Sequence, residues 1–212
     1  MLKIQTRYAI DPATAKALDT DQLRRHFHIG GLFTEGEINL TYSHYDRLIV
    51  GSVVPGKGIL TLDHIVETDP ASFLDRREMG VLNIGYTGTV SVGGKTYTVE
   101  NGEVLYIGMG AGAVEFSGAG RFYVLSAPAH RAYPTTLIKP ANARRVELGA
   151  RQTANERVII QLLHPEVCKS CQLLMGYTQF VEGSVWNTMP VHTHDHRVEA
   201  YLYFELPENQ RV

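Results

Sequence analysis

The chain has 212 residues, of which 44% are hydrophobic and 20% charged, and its formal net charge is -2 at pH 7. This composition is typical of a globular protein with one large or two modest domains, and the lack of a basic surplus argues against a nucleic-acid-binding protein. No stretch reaches the roughly 18 apolar residues of a membrane span, and the first residues lack the apolar run of a signal peptide. We therefore expect a cytoplasmic protein with no nucleic-acid or membrane partner.

The N-terminal region carries two helix-start signals. Asp11 followed by Pro12 is the pattern of an N-cap with proline at the first helical position. Asp19 or Thr20 can cap a second short helix, in which Leu23 and Phe27 lie one turn apart. The pattern predicts two short helices before the first β-structure.

From about residue 32 the pattern changes to short strands separated by turns, which favours a sandwich or barrel. A two-glycine turn, Gly93-Gly94, joins two of these strands into a hairpin. The proline-containing stretch 126–140 is interpreted as a crossing loop or linker. The predicted strands are 38–42, 47–54, 89–92, 95–99, 104–107, 113–116, 121–125, 157–163, 172–180 and a last β region from 187 onward.

The two cysteines form a Cys-x-x-Cys pair, Cys168 and Cys171, which raises a zinc or redox interpretation. A zinc ribbon needs a second pair of ligands at short spacing, and none follows. A thioredoxin-like motif needs a βαβ context, whereas residues 171–177 are typical of a strand. We favour two reduced cysteines at the start of a strand.

The C-terminal region contains the one sharp chemical pattern, His192-Thr193-His194 followed by Glu199. Residues two apart on a strand point to the same face, so both imidazoles project into one space, and a returning strand from Val198 brings Glu199 opposite them. Two histidines and a carboxylate suit Zn, Fe, Mn or Ni. An ordinary surface His-x-His pair is the competing interpretation. His196 has the same parity and is a further candidate ligand, although we favour an exposed position for it in a turn.

Together with this pattern, four other segments resemble the 5-keto-4-deoxyuronate isomerases, also called 4-deoxy-L-threo-5-hexosulose-uronate ketol-isomerases, of the cupin superfamily. The segments are residues 41–51 (TYSHYDRLIVG), 78–85 (EMGVLNIG), 127–130 with 133–135 (APAH and YPT) and 186–190 (WNTMP). The resemblance runs along the whole chain. It implies an all-β fold of two cupins (double-stranded β-helix or jelly-roll barrels) with short N-terminal helices. The strand pattern that resumes after the proline-containing stretch 126–140 predicts a second β unit from about residue 140, which divides the chain into residues 1–139 and 140–212.

The resemblance also implies a site and an assembly. The metal ligands of the family match His192, His194 and Glu199, whereas His196 matches no ligand. The family's fourth ligand is a histidine on a later strand, which has no counterpart here, so we expect a C-terminally shortened chain with an incomplete second cupin. One Zn2+ per subunit and a homo-oligomer, a hexamer by family resemblance, are further expectations.

The implied reaction converts 5-keto-4-deoxyuronate to 3-deoxy-D-glycero-2,5-hexodiulosonate in the breakdown of pectin-type uronates. A metal acting as Lewis acid would stabilise an enediolate, and a general base is also needed. The sequence does not identify this base. Weak candidates for the base are His130, Tyr133, Tyr201 and Tyr203, and cations available for the substrate carboxylate are Arg47, Arg76, Arg77 and Lys139.

Two alternative functions remain open at this point. The chain could be another cupin enzyme, such as a related metal-dependent sugar-acid isomerase or a metal dioxygenase. It could also be a non-catalytic oligomerisation module, because the fourth ligand is absent.

Overall fold

The computed structural model describes residues 1–69, 71–185, 187 and 192–209, and in this part of the chain most of the regular structure is β. The two α-helices are α1 (Pro12–Lys16) and α2 (Thr20–Phe27). Single turns of 3-10 helix occur at Val66–Thr68, Pro140–Asn142 and Arg151–Thr153. The strands are β1 (Leu2–Arg7), β2 (Glu37–Ser43), β3 (Ile49–Val54), β4 (Leu60–Leu62), β5 (Arg77–Asn83), β6 (Gly88–Val92), β7 (Lys95–Val99), β8 (Val104–Ile107), β9 (Val114–Gly118), β10 (Phe122–Pro128), β11 (Thr136–Ile138), β12 (Arg144–Leu148), β13 (Arg157–Leu163) and β14 (Met175–Phe180).

Both predicted helices are confirmed, and each begins at the predicted cap. The side chain of Asp11 accepts hydrogen bonds from the first-turn backbone of α1, and Pro12 opens the helix. Asp19 and Gln22 form a reciprocal capping box at the start of α2, which satisfies backbone N–H groups that lack partners inside the helix. Of the helices in the described residues, neither is long and apolar enough to cross a membrane.

The strands form three layers. A seven-stranded sheet in the order β1-β2-β3-β10-β5-β8-β11 lies in the middle. A four-stranded sheet, β4-β9-β6-β7, packs on one face, and a three-stranded sheet, β12-β13-β14, packs on the other. The all-β fold class predicted from the sequence is confirmed.

Alternation along the central strands explains how one sheet serves two cores. In β8, Leu105 and Ile107 contribute to the core shared with the four-stranded sheet, whereas Val104 and Tyr106 contribute to the core shared with the three-stranded sheet. Side chains two apart on a strand share a face, so a strand covered on both sides is apolar throughout. The same alternation runs through β10.

A buried carboxylate, Glu78 on β5, joins the central sheet to the chain that leads into β14. Its side chain is 0% exposed and accepts backbone hydrogen bonds from Cys171 at 2.7 Å, Gln172 at 2.7 Å and Leu173 at 2.8 Å. The Tyr106 hydroxyl donates a fourth hydrogen bond at 2.8 Å. Four donors compensate for the desolvation of the charge, so Glu78 acts as a latch between the two layers.

Several strands depart from the sequence prediction. The patterning did not single out five of the strands: β1, which pairs in parallel with β2, the short strands β4 and β11, the central strand β5, and β12. The region 126–140 contains β11 and the end of β10 rather than only a loop. The third sheet begins at Arg144, and the division into domains at residue 139 stays a prediction.

Candidate functional site

The segment that carries the metal motif packs against the second core, which is the core shared by the seven-stranded and three-stranded sheets. From Val198 to Phe204, odd-numbered residues are exposed and even-numbered residues are partly buried. Val198, Ala200 and Leu202 pack against the second core, which directs Glu199 and Tyr201 outward. The period-two pattern predicted from the sequence is therefore present in the burial of the side chains.

The prediction that this segment forms hydrogen-bonded β-strands is wrong for residues 192–209, none of which belongs to a sheet. A strand needs a neighbouring strand whose N–H and C=O groups complete its ladder. In the described part of the chain no other segment supplies that edge. The segment keeps its alternation because the apolar side chains pack on the core, not because a ladder fixes it.

The three predicted ligands lie close together. The rings of His192 and His194 stand edge to face with their centroids 4.7 Å apart. The Nε2 atom of His194 is 3.5 Å from the Oε1 atom of Glu199. His196 lies in an exposed bend, as predicted, with its ring centroid 5.9 Å from that of His194.

Two further side chains bind Glu199: Arg197, which the sequence prediction did not single out, and Tyr201, which it named only as a weak candidate for the general base. The Arg197 guanidinium donates to Glu199 Oε1 at 2.7 Å through Nε and contacts His194 Nε2 at 2.8 Å through Nη2. The Tyr201 hydroxyl donates to Glu199 Oε2 at 2.7 Å. Arg197 and Tyr201 have the same strand parity as Glu199, and this spacing is the signal that could have identified them.

The hydrogen bonds shift the pKa values of two members of this network, Glu199 and Tyr201. The Tyr201 hydroxyl, and after it Arg197, hold the pKa of the Glu199 carboxyl below its ordinary value, against the opposing effect of desolvation. The bond to Glu199, with burial, raises the pKa of Tyr201 to about 12. Tyr201 is therefore a neutral phenol near pH 7 that donates to the carboxylate, which makes it a poor general base.

The chemistry of the donor set suits a divalent metal, but the arrangement of the side chains does not yet form a metal centre. Among the described residues, no group of three or more His, Cys, Asp or Glu side chains converges on one point. At two of the predicted ligands, His194 and Glu199, the Arg197 guanidinium lies against the donor atoms. A metal would have to displace this guanidinium to use those atoms.

An open cleft with a volume of about 410 Å³ lies beside this network. One wall is Asp195 to Val198, and the other is the turn between β2 and β3, which contributes His44, Tyr45 and Asp46. The lining is polar and includes both acidic and basic groups. Such a cleft suits a small hydroxylated, charged molecule.

The turn opposite the metal motif is strained and is held from inside the protein. Asp46 and Arg47 both have left-handed backbone conformations, with φ of 51° and 54°. Arg77, which is 5% exposed, donates to the Arg47 carbonyl at 2.7 Å and to the Ser126 carbonyl at 2.7 Å. Burial lowers the pKa of Arg77 to about 10, which leaves it cationic at neutral pH. Arg77 thus positions the turn and does not reach a substrate itself.

The other candidates from the sequence lie in varied settings. His130 and Arg76 are exposed, and Tyr133 packs on the second core beneath the Arg131 guanidinium. Lys139 pairs with the buried Glu103 at 3.5 Å. Tyr203 is 57% exposed on the outward face of the segment, and the side chain of Arg47 is exposed beside the cleft.

The cysteines are both free thiols, as predicted, although they precede β14 by several residues rather than opening it. Cys168 is buried, and desolvation raises the pKa of its thiol. The backbone N–H of Cys171 donates a hydrogen bond to the buried Glu78 carboxylate. In the family-like segment 186–190, only Asn187 is described, so that prediction lies outside the described residues.

Comparison with known proteins agrees with the resemblance found in the sequence. The family model described as "KduI/IolB family" matches residues 29–210. A 4-deoxy-L-threo-5-hexosulose-uronate ketol-isomerase from Cereibacter sphaeroides (strain ATCC 17029 / ATH 2.4.9) is 58% identical over 100% of this chain and 77% of the relative. A protein of the same name from Agrobacterium fabrum is 56% identical over the same shares.

A solved structure supports the fold. An IolB-like protein from Salmonella typhimurium LT2 superposes with a TM-score of 0.50 at 17% identity. The match covers 65% of this chain and 51% of that chain, and at this identity it bears on the fold alone. The family match and the relatives that align along the whole chain show that this protein belongs to the KduI/IolB family.

Proposed function

We propose that the chain is a ketol-isomerase that acts on 4-deoxy-L-threo-5-hexosulose-uronate. The observation that carries the proposal is the 58% identity along the whole chain to relatives of that name. The polar cleft beside His194 and Glu199 supports it, because the substrate is a small hydroxylated acid. The alternative of a non-catalytic module has no comparable support.

The reaction moves hydrogen within one molecule. One C–H and one O–H bond break and one of each forms, as a hydroxyl-bearing carbon becomes a carbonyl and its neighbour the reverse. No external oxidant or reductant is needed. The chain's part is to bind the substrate in the cleft, orient the two carbons and provide proton donors and acceptors at its polar wall.

A divalent metal, with Zn2+ as our choice, belongs to the proposal. His192, His194 and Glu199 would hold it, and Tyr201 would orient the Glu199 carboxylate from behind. When bound there, the metal would supply Lewis-acid polarisation of the carbonyl or the adjacent hydroxyl. Cytoplasmic location, the two-cupin architecture and a homo-oligomeric assembly complete the proposal.

The test is to convert the substrate, prepared from the unsaturated uronate released by a pectin lyase, in deuterium oxide while recording proton NMR spectra. We expect the diketo acid product with deuterium at the new C–H position. Glu199→Gln should lower kcat/KM roughly a hundredfold, because the amide is a weaker metal ligand. Glu182→Gln, which changes an exposed carboxylate, should have no effect. Equal rates for the two variants would contradict the proposed site.

A further inference from the structure

The turn between β2 and β3 carries an imidazole that the site described above does not use. His44 directly follows β2, is exposed, and lines the open cleft opposite the wall formed by residues 195–198. Among the described residues, its ring nitrogens take part in no hydrogen bond or ion pair. The other imidazole of the cleft lining belongs to His196, whose Nε2 atom lies 2.9 Å from Arg197 Nη1. His44 is therefore the cleft imidazole whose nitrogens are both open to a bound molecule.

Two tyrosine rings fix the orientation of the His44 ring. The ring centroid of Tyr8 lies 4.6 Å from it in a tilted arrangement, and that of Tyr42 lies 5.6 Å from it, edge to face. The backbone N–H of His44 also donates to the Arg7 carbonyl at 2.9 Å. These contacts hold the imidazole through its ring faces and its backbone, and they leave its nitrogens to the cleft.

The backbone of the same turn is held in place from two other parts of the protein. The Tyr45 hydroxyl accepts a hydrogen bond from the Ile10 backbone N–H at 3.0 Å and donates to the Ile10 carbonyl at 3.3 Å. Arg77 binds the Arg47 carbonyl at the far end of the turn. A strained backbone that is fixed in this way is characteristic of positions that present a functional side chain. The turn thus presents His44 to the cleft in a defined position.

The proposed isomerisation needs a group that both takes and returns a proton. Imidazole is the side chain best suited to both steps near neutral pH. Asp46 and Asp195 also line the cleft, but a carboxylate is a weaker base than an imidazole. Tyr201 holds its proton as a neutral phenol. Among the described groups at the cleft, His44 meets the chemical requirement best.

We propose that His44 is the general base of the isomerisation: a ring nitrogen takes the proton from the hydroxyl-bearing carbon and, as imidazolium, returns it to the neighbouring carbon. The C–H electron pair becomes the double bond of an enediol as the carbonyl oxygen takes a proton from water. Loss of the hydroxyl proton to water then forms the new carbonyl, and the double-bond pair accepts the proton from the imidazolium. Atoms and electrons balance without a co-reactant. The inference rests on the proposed function for the identity of the reaction.

Steady-state rates of the full chain test the role of His44. In His44→Gln the side chain stays polar but cannot carry the proton, so kcat should fall at least roughly a hundredfold with little change in KM. His28→Ala, at an exposed histidine after α2, is the matched control and should keep the rate of the unchanged chain. Imidazole added to the solvent should raise the rate of His44→Ala at least roughly tenfold, because a free base can enter the space left by the side chain.

The outcomes separate the inference from the proposed function. Equal kcat values for His44→Gln and His28→Ala would overturn the inference and leave the proposed isomerase intact. A large loss in both His44 variants without rescue by imidazole would also overturn it, since the loss would then come from the missing contacts with Tyr8 and Tyr42. No turnover by the unchanged chain would refute the proposed function, and the inference with it.

Discussion

The Glu78 latch gives the most quantitative prediction, because every hydrogen bond to the carboxylate is identified. In Glu78→Gln one side-chain oxygen becomes an NH2 group, which cannot accept the hydrogen bonds now donated to Oε2 by Tyr106 and by the backbone of Cys171. Each hydrogen bond to a charged group contributes about 1.5–3 kcal/mol. Loss of two gives a decrease of about 3 kcal/mol or more in the free energy of unfolding.

Urea denaturation followed by circular dichroism measures this decrease. In a chain of this size it corresponds to a fall of roughly 6–12 °C in Tm. Glu115→Gln, at an exposed carboxylate on β9, is the matched control and should remain within about 0.5 kcal/mol of the unchanged chain. Hydrogen exchange should also become faster at residues 171–173, whose amides the carboxylate binds. A decrease below about 1 kcal/mol would refute the latch, since it would mean that these hydrogen bonds contribute little net stability.

Three further predictions follow from other contacts. Arg77→Met leaves the carbonyls of Arg47 and Ser126 without their donor, so the free energy of unfolding should fall by about 2–4 kcal/mol. The control, Arg76→Met at the exposed neighbouring residue, should leave the free energy of unfolding almost unchanged. Equal stability of the two variants in urea would contradict the role of Arg77. Tyr201→Phe removes the hydrogen bond that orients Glu199 and should weaken Zn2+ binding roughly tenfold in chelator competition. The control, Tyr203→Phe at an exposed tyrosine, should leave Zn2+ binding unchanged. A similar loss of affinity in both variants would contradict the proposal that Tyr201 orients the Glu199 carboxylate. Burial and the bond to Glu78 raise the pKa of Tyr106 above its ordinary value of 10.0, so the stability linked to this phenol is present below that pH and is lost as pH rises above it. Thermal unfolding at a series of pH values should show a smaller alkaline loss for Tyr106→Phe, and unchanged alkaline sensitivity would show that Tyr106 does not contribute.

Local signals predicted the parts of the fold that depend on neighbouring residues. Gly93 and Gly94 adopt φ of 58° and 74°, as a two-glycine hairpin turn requires, and the strands on either side pair directly across it. The capping box at Asp19 is likewise a property of four successive residues. In these cases the sequence contains both partners of the interaction within one turn.

Features that depend on distant residues could not be predicted. Strand β1 has a mixed polar pattern and becomes a strand because β2, more than thirty residues away, offers it an edge. Glu78 gives no sign of its role, since its partner Leu173 lies 95 residues further along the chain. In the metal motif, an alternating pattern accounts for Glu199 and Tyr201 sharing the outward face. The contact of Arg197 with His194 depends instead on the bend at residues 195–196, which an alternating pattern does not describe.

The most direct test of the account is the steady-state rate of isomerisation of 4-deoxy-L-threo-5-hexosulose-uronate by the full chain loaded with Zn2+, compared with His194→Ala and His28→Ala. His194 contacts both Arg197 and Glu199 in the candidate site, whereas His28 follows the end of α2 on the surface. We predict turnover by the unchanged chain and by His28→Ala, with kcat/KM reduced at least roughly a hundredfold in His194→Ala. A rate for the unchanged chain no higher than that of His194→Ala would contradict the assignment of this site as the centre of a ketol-isomerase.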